Sequence, residues 1–232
     1  MKFTKTLIKG KLIKRYKRFF TDIEVNKEVV TAHCPNTGSM MGLLDFNNEV
    51  WISKNNDPKR KLKFTLEIIK TKNNLVGVNT HFANKIVGHA LSNNLIKEFK
   101  GCTAIKAEAF FDKQTRFDFL IDKSRAKNFI EVKNVTLFRK NNISEFPDAP
   151  TSRGIKHLKA LIDATNMGYK SNLLFLVQIQ GMEKFKIAKD IDNEYYKNYI
   201  LAKKAGVKFL AYRCKITPEE IKIEKKIKII DE

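Results

Sequence analysis

Three residues carry the sharpest chemical signal in the chain. Asp118 lies in the segment Arg116-Phe117-Asp118-Phe119-Leu120-Ile121, and Glu131 and Lys133 lie in Asn128-Phe129-Ile130-Glu131-Val132-Lys133. Two carboxylates and an amine in apolar, strand-like surroundings suit metal-assisted hydrolysis of a phosphodiester. A hard divalent cation, Mg²⁺ or Mn²⁺, takes oxygen ligands and often needs only one or two carboxylates besides water and phosphate. A neighbouring ammonium can orient or deprotonate a water, or stabilise charge on the phosphate.

The elements around these residues decide whether they meet. Alternation along a strand places Asp118 on the face opposite Phe117, Phe119 and Ile121, and puts Glu131 and Lys133 on one shared face. Asp122-Lys123-Ser124-Arg125-Ala126-Lys127 reads as a hairpin turn. With its centre between Ser124 and Arg125, Asp118 stands opposite Glu131. Carboxylates facing each other across a ladder have Cβ atoms about 4.5–5.5 Å apart and destabilise the pair. A shared cation removes that repulsion. The competing reading is a solvated hairpin in which Glu131 and Lys133 are ordinary exposed charges.

Other side chains are candidates around this pair. Glu108, in Ala104-Ile105-Lys106-Ala107-Glu108, is a possible third oxygen ligand from a neighbouring strand, or an exposed strand charge. Glu98 on a preceding helix reaches in or faces water. Asp148, in the turn Phe146-Pro147-Asp148-Ala149-Pro150, is placed to line a cleft. Arg153, Lys156 and His157 open a helix, where phosphate contact is helped by free backbone N–H groups. His33-Cys34 are adjacent strand residues that point to opposite faces, and no partner at metal-ligand spacing accompanies them. They read as structural.

The chain has 232 residues, with 45 Lys+Arg against 25 Asp+Glu and a formal charge of +20. Such a balance suits a polyanionic partner. The excess is almost all lysine, and the chain is also rich in Asn, Ile and Phe, as AT-rich genomes favour without functional demand. Placement is therefore more telling than the total. Arg15, Lys17 and Arg18 close a strongly basic N-terminal segment, and Lys59, Arg60 and Lys61 form a second cluster at a turn. Each is either a solvated face or part of a phosphate-tracking groove. No apolar run approaches the roughly 20 residues of a membrane span. No signal-peptide pattern opens the chain, and the three cysteines are scattered, which together lead us to expect a cytoplasmic protein without a disulfide framework.

The first 80 residues read as short strands between Asn, Asp and Gly punctuation, and predict a small OB-like barrel. From residue 81 the pattern changes. Apolar positions from Ala83 to Lys100 recur at helical spacing. Three strand-like segments follow, including Asn128 to Phe138 as one strand. Next come a helix with Thr151 or Ser152 as its N-cap and Gly168 as its stop, an apolar strand around Leu173, a helix from Asp192 to Ala205 stopped by Gly206, and a last strand. The prediction is an α/β (α+β) chain: a barrel over 1–80 and a mixed sheet flanked by helices over 81–232.

Several of these stretches resemble one family. They are Arg15-x-x-Arg18-Phe19, His33-Cys34-Pro35-Asn36-Thr37-Gly38-Ser39-Met40, Lys59-Arg60-Lys61, Val76-Gly77-Val78-Asn79-Thr80, Arg116-Phe117-Asp118-Phe119-Leu120, Ile130-Glu131-Val132-Lys133-Asn134-Val135-Thr136-Leu137, Phe146-Pro147-Asp148-Ala149 and Arg153-Gly154-x-Lys156-His157-Leu158. As a set they resemble the bacterial and archaeal sugar fermentation stimulation protein A family. The resemblance implies an N-terminal OB-fold, a C-terminal domain like the PD-(D/E)xK nucleases, DNA binding, and a regulatory role in sugar (maltose) utilisation. Asp118, Glu131 and Lys133 match the nuclease pattern. Two departures, Ala83-Asn84 and Gly88-His89, are expected to lie away from that pair. Three functions stay open: a metal-dependent nuclease, a non-catalytic DNA clamp, and an RNA-binding protein.

Overall fold

The computed structural model describes residues 1–140 and 142–231. Five strands form the barrel: β1 (Ile8–Tyr16), β2 (Phe20–Val25), β3 (Glu28–His33), β4 (Glu49–Lys54) and β5 (Phe64–Lys70). Two tight turns have positive φ at two successive residues: Lys17-Arg18 in the three-residue connection between Tyr16 and Phe20, and Asn26-Lys27, the backbone that a two-residue hairpin needs. The sheet runs β3-β2-β1-β4-β5 and closes where β3 pairs in parallel with β5, Ala32 beside Phe64. Alternation drives Leu12, Ile23, Ala32, Val50, Ile52 and Leu66 inward to full burial. Gly10 lets β1 cross close over β2, because a Cβ there would come within 2.7 Å of the Glu24 carbonyl.

The short strand β6 (Leu75–Gly77) pairs with β5 and then ties the barrel to the rest of the chain. Gly77 N–H donates to the Gln178 carbonyl and Gln180 N–H donates to the Leu75 carbonyl, both at 2.9 Å. Residues 1–7 run the other way before the first strand. Lys2 bridges Glu220, and the Met1 ammonium donates to the Ile221 carbonyl at 2.6 Å.

The second unit contains α1 (Phe82–Ser92), β7 (Ala104–Phe110), β8 (Arg116–Lys123), β9 (Ala126–Val135), β10 (Leu137–Lys140), β11 (Ile143–Phe146), α2 (Ser152–Asn166), β12 (Lys170–Val177), β13 (Lys184–Ile187), α3 (Asn193–Lys204), β14 (Lys208–Ile216), β15 (Ile221–Lys226) and β16 (Lys228–Ile229). Its main sheet has the order β15-β14-β12-β9-β8-β7. β12 is parallel to both neighbours and is buried along almost its whole length, as central parallel strands are. Leu174 and Leu176 pack with α1 residues such as Ile86 and Val87, whereas Phe175 and Val177 pack on the opposite face with α2 and α3 residues such as Leu158 and Tyr199. β10, β11, β13 and β16 make a separate small sheet.

The barrel and the helix-flanked mixed sheet are those the sequence predicts, and three details differ. The first helix stops at Ser92 rather than Lys100. Asn93 and Asn94, the latter at φ 55°, end it, and Ile96 and Phe99 reach the core from a short 3₁₀ turn. The segment from Asn128 to Phe138 is two strands in two sheets, parted at Thr136. The strands of the small sheet have two to four residues, too few for a pattern to be read, even where Lys184–Ile187 alternates between outward and buried positions.

Candidate active site

The β8–β9 turn has its centre at Ser124-Arg125, both at positive φ. The ladder runs unbroken from Lys123 opposite Ala126 to Phe119 opposite Ile130. One step further the backbone pairing changes hands. Val132 N–H donates to the Asp118 side chain, to Oδ2 at 2.7 Å. The other carboxylate oxygen, Oδ1, accepts from Asn84 Nδ2 of α1 at 2.6 Å.

Simple alternation fails here. Phe119 and Ile121 pack on the α1 face, but Phe117 packs on the opposite face, 5.0 Å from the Phe129 ring. Phe117 and Phe119 therefore do not share the face assigned to them from period two. The break is shared with the adjoining strand: Glu108, at φ 53°, and Asp118 both drop out of the β7–β8 ladder between Ala107–Phe119 and Ala109–Phe117, and the register is the same on either side. The irregularity leaves Asp118 at a break in the strand, its carboxylate held by α1 and by a main-chain N–H of β9.

Glu131 is buried, with 3% of its side chain exposed, and Lys133 retains only 12%. They are not solvated hairpin charges. Lys133 Nζ donates to Glu131 Oε1 at 2.8 Å and lies 3.1 Å from His157 Nδ1. His157 Nδ1 also contacts Glu131 Oε1. The second oxygen, Oε2, is buried and has no hydrogen-bond partner among the described residues. Burial pushes the Glu131 carboxyl upward, but the Lys133 ammonium and His157 outweigh it and hold the group below its usual range. Asp118 moves the other way. Burial and the nearby Glu131 charge push it up to about 6, against the pull of Val132 N–H, Asn84 and Lys133.

This arrangement fits a divalent cation of low protein-ligand demand. Glu131 Oε2 is a buried acceptor with no donor among the described residues, and the Glu131 charge opposes ionisation of Asp118; a cation and its waters would satisfy the first and relieve the second, while Asp118 keeps its bonds from Val132 N–H and Asn84. Among the described residues no set of three His, Cys, Asp or Glu side chains converges as a ready-made metal cage.

Other predicted residues are placed as follows. Glu108 turns outward, half-exposed, to an ion pair with Arg116 Nε at 2.8 Å, so it does not join the carboxylates. Glu98 accepts from Tyr212 Oη at 2.5 Å and Lys226 Nζ at 2.6 Å, away from them. Arg15 is a strut: its guanidinium donates to the carbonyls of Arg18, Asn36 and Gly38 at 2.8, 2.7 and 3.1 Å. That use leaves it little freedom to track phosphates. Lys17 and Arg18 are exposed in the β1–β2 turn, and Lys59 and Lys61 are exposed on the β4–β5 loop, with Arg60 half-buried between them. Arg153 and Lys156 are exposed on the first turn of α2, whose cap is the Thr151 hydroxyl accepting from Gly154 N–H at 3.0 Å. His157, predicted as a phosphate contact, turns inward to Glu131 instead. Cys34 is buried with its Sγ 3.5 Å from Met40 Sδ, and His33 stacks on Phe19.

Asp148 lines a cleft of about 360 Å³ with Arg18, Thr37, Asn134, Thr136 and Thr151. Its carboxylate presses on Gly38, where an added Cβ would lie 2.1 Å from Oδ2. Only glycine fits that contact.

Two residues at the site escape a reading of the sequence. Asn84 was expected away from the pair, yet it holds Asp118. Its signal is its position on the stripe of α1 that also carries the buried Val87 and Leu91. Tyr195, on α3, is fully buried, its hydroxyl has no hydrogen-bond partner among the described residues, and its pKa is raised by burial and by the Glu131 charge. Nothing local in the sequence marks it.

A closed five-stranded OB-like barrel followed by a mixed sheet with three helices defines a two-part architecture, and known proteins share it. Residues 13–78 match the family described as "SfsA N-terminal OB domain", and residues 81–220 match "Sugar fermentation stimulation protein RE domain". The chain is 71% identical over 231 residues to a sugar fermentation stimulation protein homolog of Pelagibacter ubique, covering 100% of both. It is 42% identical to the homolog of Pseudoalteromonas atlantica, covering 99% of this chain and 100% of the other. A solved structure titled "The structure of Pyrococcus Furiosus SfsA in complex with Ca2+" superposes with a TM-score of 0.89 at 23% identity, over 100% of this chain and 98% of that one, and shares the fold. The chain belongs to the sugar fermentation stimulation protein family.

Proposed function

We propose that this protein binds nucleic acid, DNA in the first place, and hydrolyses phosphodiesters with a divalent cation held by Asp118 and Glu131. The observation that carries the reading is the buried, unpartnered Glu131 Oε2, beside an Asp118 whose ionisation Glu131 itself opposes. The Pyrococcus furiosus relative, solved with Ca²⁺, supports a site for a hard divalent cation in this fold. When bound, Mg²⁺ or Mn²⁺ would act as a Lewis acid and neutralise charge on the phosphate.

The chain's own residues divide the remaining work. Lys133 keeps its ammonium at Glu131 Oε1 and presents positive charge to a phosphate oxygen or to the attacking water. His157 packs against the same oxygen and fixes the lysine from the far side. Asn84 and Val132 N–H orient Asp118 so that its carboxylate does not rotate freely. Arg18, Lys17, Lys59, Lys61, Arg153 and Lys156 are exposed and available to a phosphate backbone.

A second reading is a non-catalytic DNA-binding protein. It is favoured by the way Lys133 and His157 already satisfy one oxygen of Glu131 without a metal. The experiment that separates the two incubates the protein and its Lys133→Ala variant with single- and double-stranded DNA and RNA, with Mg²⁺, Mn²⁺ or EDTA. Cleavage that needs the cation and Lys133, with DNA affinity kept in the variant, supports hydrolysis. Equal, metal-independent backgrounds from both leave only the binding reading.

A further inference from the structure

A cleft of about 630 Å³ that takes no part in the Asp118–Glu131 site lies where the barrel, α1 and residues 1–7 meet. Small-molecule sites have volumes of this order. Phe3 forms part of its roof and meets Phe82 edge-on at 5.6 Å. The roof is fixed in place: Phe3 N–H donates to the Glu219 carbonyl at 2.9 Å, and Met1 is anchored on Ile221 from both its ammonium and its carbonyl.

The floor carries a buried acid. Glu67 is 3% exposed, and its two oxygens accept separately from Ser53 Oγ at 2.6 Å and Asn79 Nδ2 at 2.8 Å. A carboxylate has about four acceptor sites, so each oxygen can take a further donor. Burial raises the Glu67 pKa despite those partners, and additional N–H donors to the ionised group would relieve that cost.

The walls carry the opposite charge. Lys2, Lys5, Lys54, Arg60 and Lys85 all line the cleft. Of these, Lys54 and Lys85 lie over the Phe64 and Phe82 rings, and Arg60 reaches only the Thr65 hydroxyl at 3.4 Å. Among the described residues, Lys5, Lys54, Arg60 and Lys85 have no carboxylate at ion-pair distance. Burial lowers the pKa of His33, and the facing Arg60 and His81 lower it further. Cations crowd here with one carboxylate among them, and that one is at the bottom.

We propose that this cleft binds a single nucleotide, with the phosphate among Arg60, Lys85 and Lys5 and the donor edge of the base on Glu67. A carboxylate accepts and does not donate, so the base that fits is guanine, whose Watson–Crick edge carries adjacent N–H donors. The same chemistry is offered by a free guanosine monophosphate and by a guanine nucleotide at a strand terminus. The site is separate from the carboxylate pair, and its occupancy does not require cleavage.

The test is calorimetric titration of the full chain with GMP, AMP, inorganic phosphate, and short oligonucleotides ending in 5′-phosphorylated G or A. We expect GMP or the G-ended strand to bind at least about tenfold tighter than its adenine counterpart, from hydrogen bonds left unmade by adenine. Binding of GMP alone identifies a free nucleotide, and binding of the G-ended strand alone identifies a terminus. Glu67→Gln should erase the preference for guanine while phosphate-dependent binding remains, and Arg60→Ala should weaken both bases alike. Thermal melts of the variants exclude loss of fold as the cause. Equal affinity for GMP, AMP and phosphate, absence of binding by all five, or an unchanged guanine preference in a folded Glu67→Gln variant would overturn the proposal.

Discussion

Asn84 on the first helix donates to Asp118 across 2.6 Å, and so couples the start of the mixed-sheet unit to the strand that carries the candidate metal ligand. Asn84 is among the interactions that restrain the rise of the Asp118 pKa. Replacing it with alanine should push that pKa above its present value of about 6 and cost about 1 kcal/mol of stability. A pH titration of the Asp118 carboxyl by NMR in both proteins measures the shift. No change, or a fall, would remove Asn84 from the site.

The raised pKa of Asp118 has a definite sign in stability. Its folded value of about 6 exceeds the ordinary 3.8, so the native state holds the proton more tightly than the unfolded chain. The contribution is most favourable below pH 4 and is lost as pH rises to about 6, by up to about 3 kcal/mol before screening. Asp118→Asn removes that titration. Urea denaturation should therefore show the variant gaining on the parent protein as pH rises between 4 and 6. A stability difference that is flat over that window contradicts the assignment.

Lys133 neutralises a buried carboxylate. Its replacement by alanine strands the Glu131 charge, and breaking such a pair costs about 3–5 kcal/mol. A divalent cation should offset part of that loss, so Mg²⁺ should raise the melting temperature of Lys133→Ala more than that of the parent. An equal response in both proteins would mean that the cation does not bind near Glu131.

The basic residues separate by how the fold uses them. Arg15→Ala should destabilise the Asn36–Gly38 loop and lower the melting temperature, because its guanidinium ties the Asn36 and Gly38 carbonyls there to the Arg18 carbonyl of the β1–β2 turn. Arg18→Ala or Lys156→Ala should leave stability nearly unchanged. Each should weaken nucleic-acid binding for all sequences and reduce the salt slope by about 1 if it contacts a phosphate. Fluorescence anisotropy over a salt series reads this directly, and unchanged slopes would place the contact surface elsewhere.

The hairpin register was legible in the sequence because a polar turn separated two apolar strands, and Phe119 does stand opposite Ile130. The glycine stops at Gly168 and Gly206 were legible for the same local reason, whereas the sequence left the cap of α2 open between Thr151 and Ser152, of which the structure uses Thr151, and began the next helix at Asp192, which proves to be its cap. What was hidden depends on distant chain. The face of Phe117 follows a break in the β7–β8 ladder at Asp118 and Glu108, which alternation within one strand does not reveal. Arg15 looks like any other residue of a basic run, until the loop at Asn36 folds against it. His157 looks like a helix-start cation, and only packing of α2 on β9 delivers it to Glu131.

The most direct test of the account is calorimetric titration of Mn²⁺ into the parent protein, Asp118→Asn and Glu131→Gln at pH 7.5, with folding of each variant verified by its melt. The account predicts one site in the parent that both substitutions abolish, and that weakens in the parent as pH falls below about 6. Binding that survives both substitutions, or no binding by the parent at millimolar Mn²⁺, would contradict it.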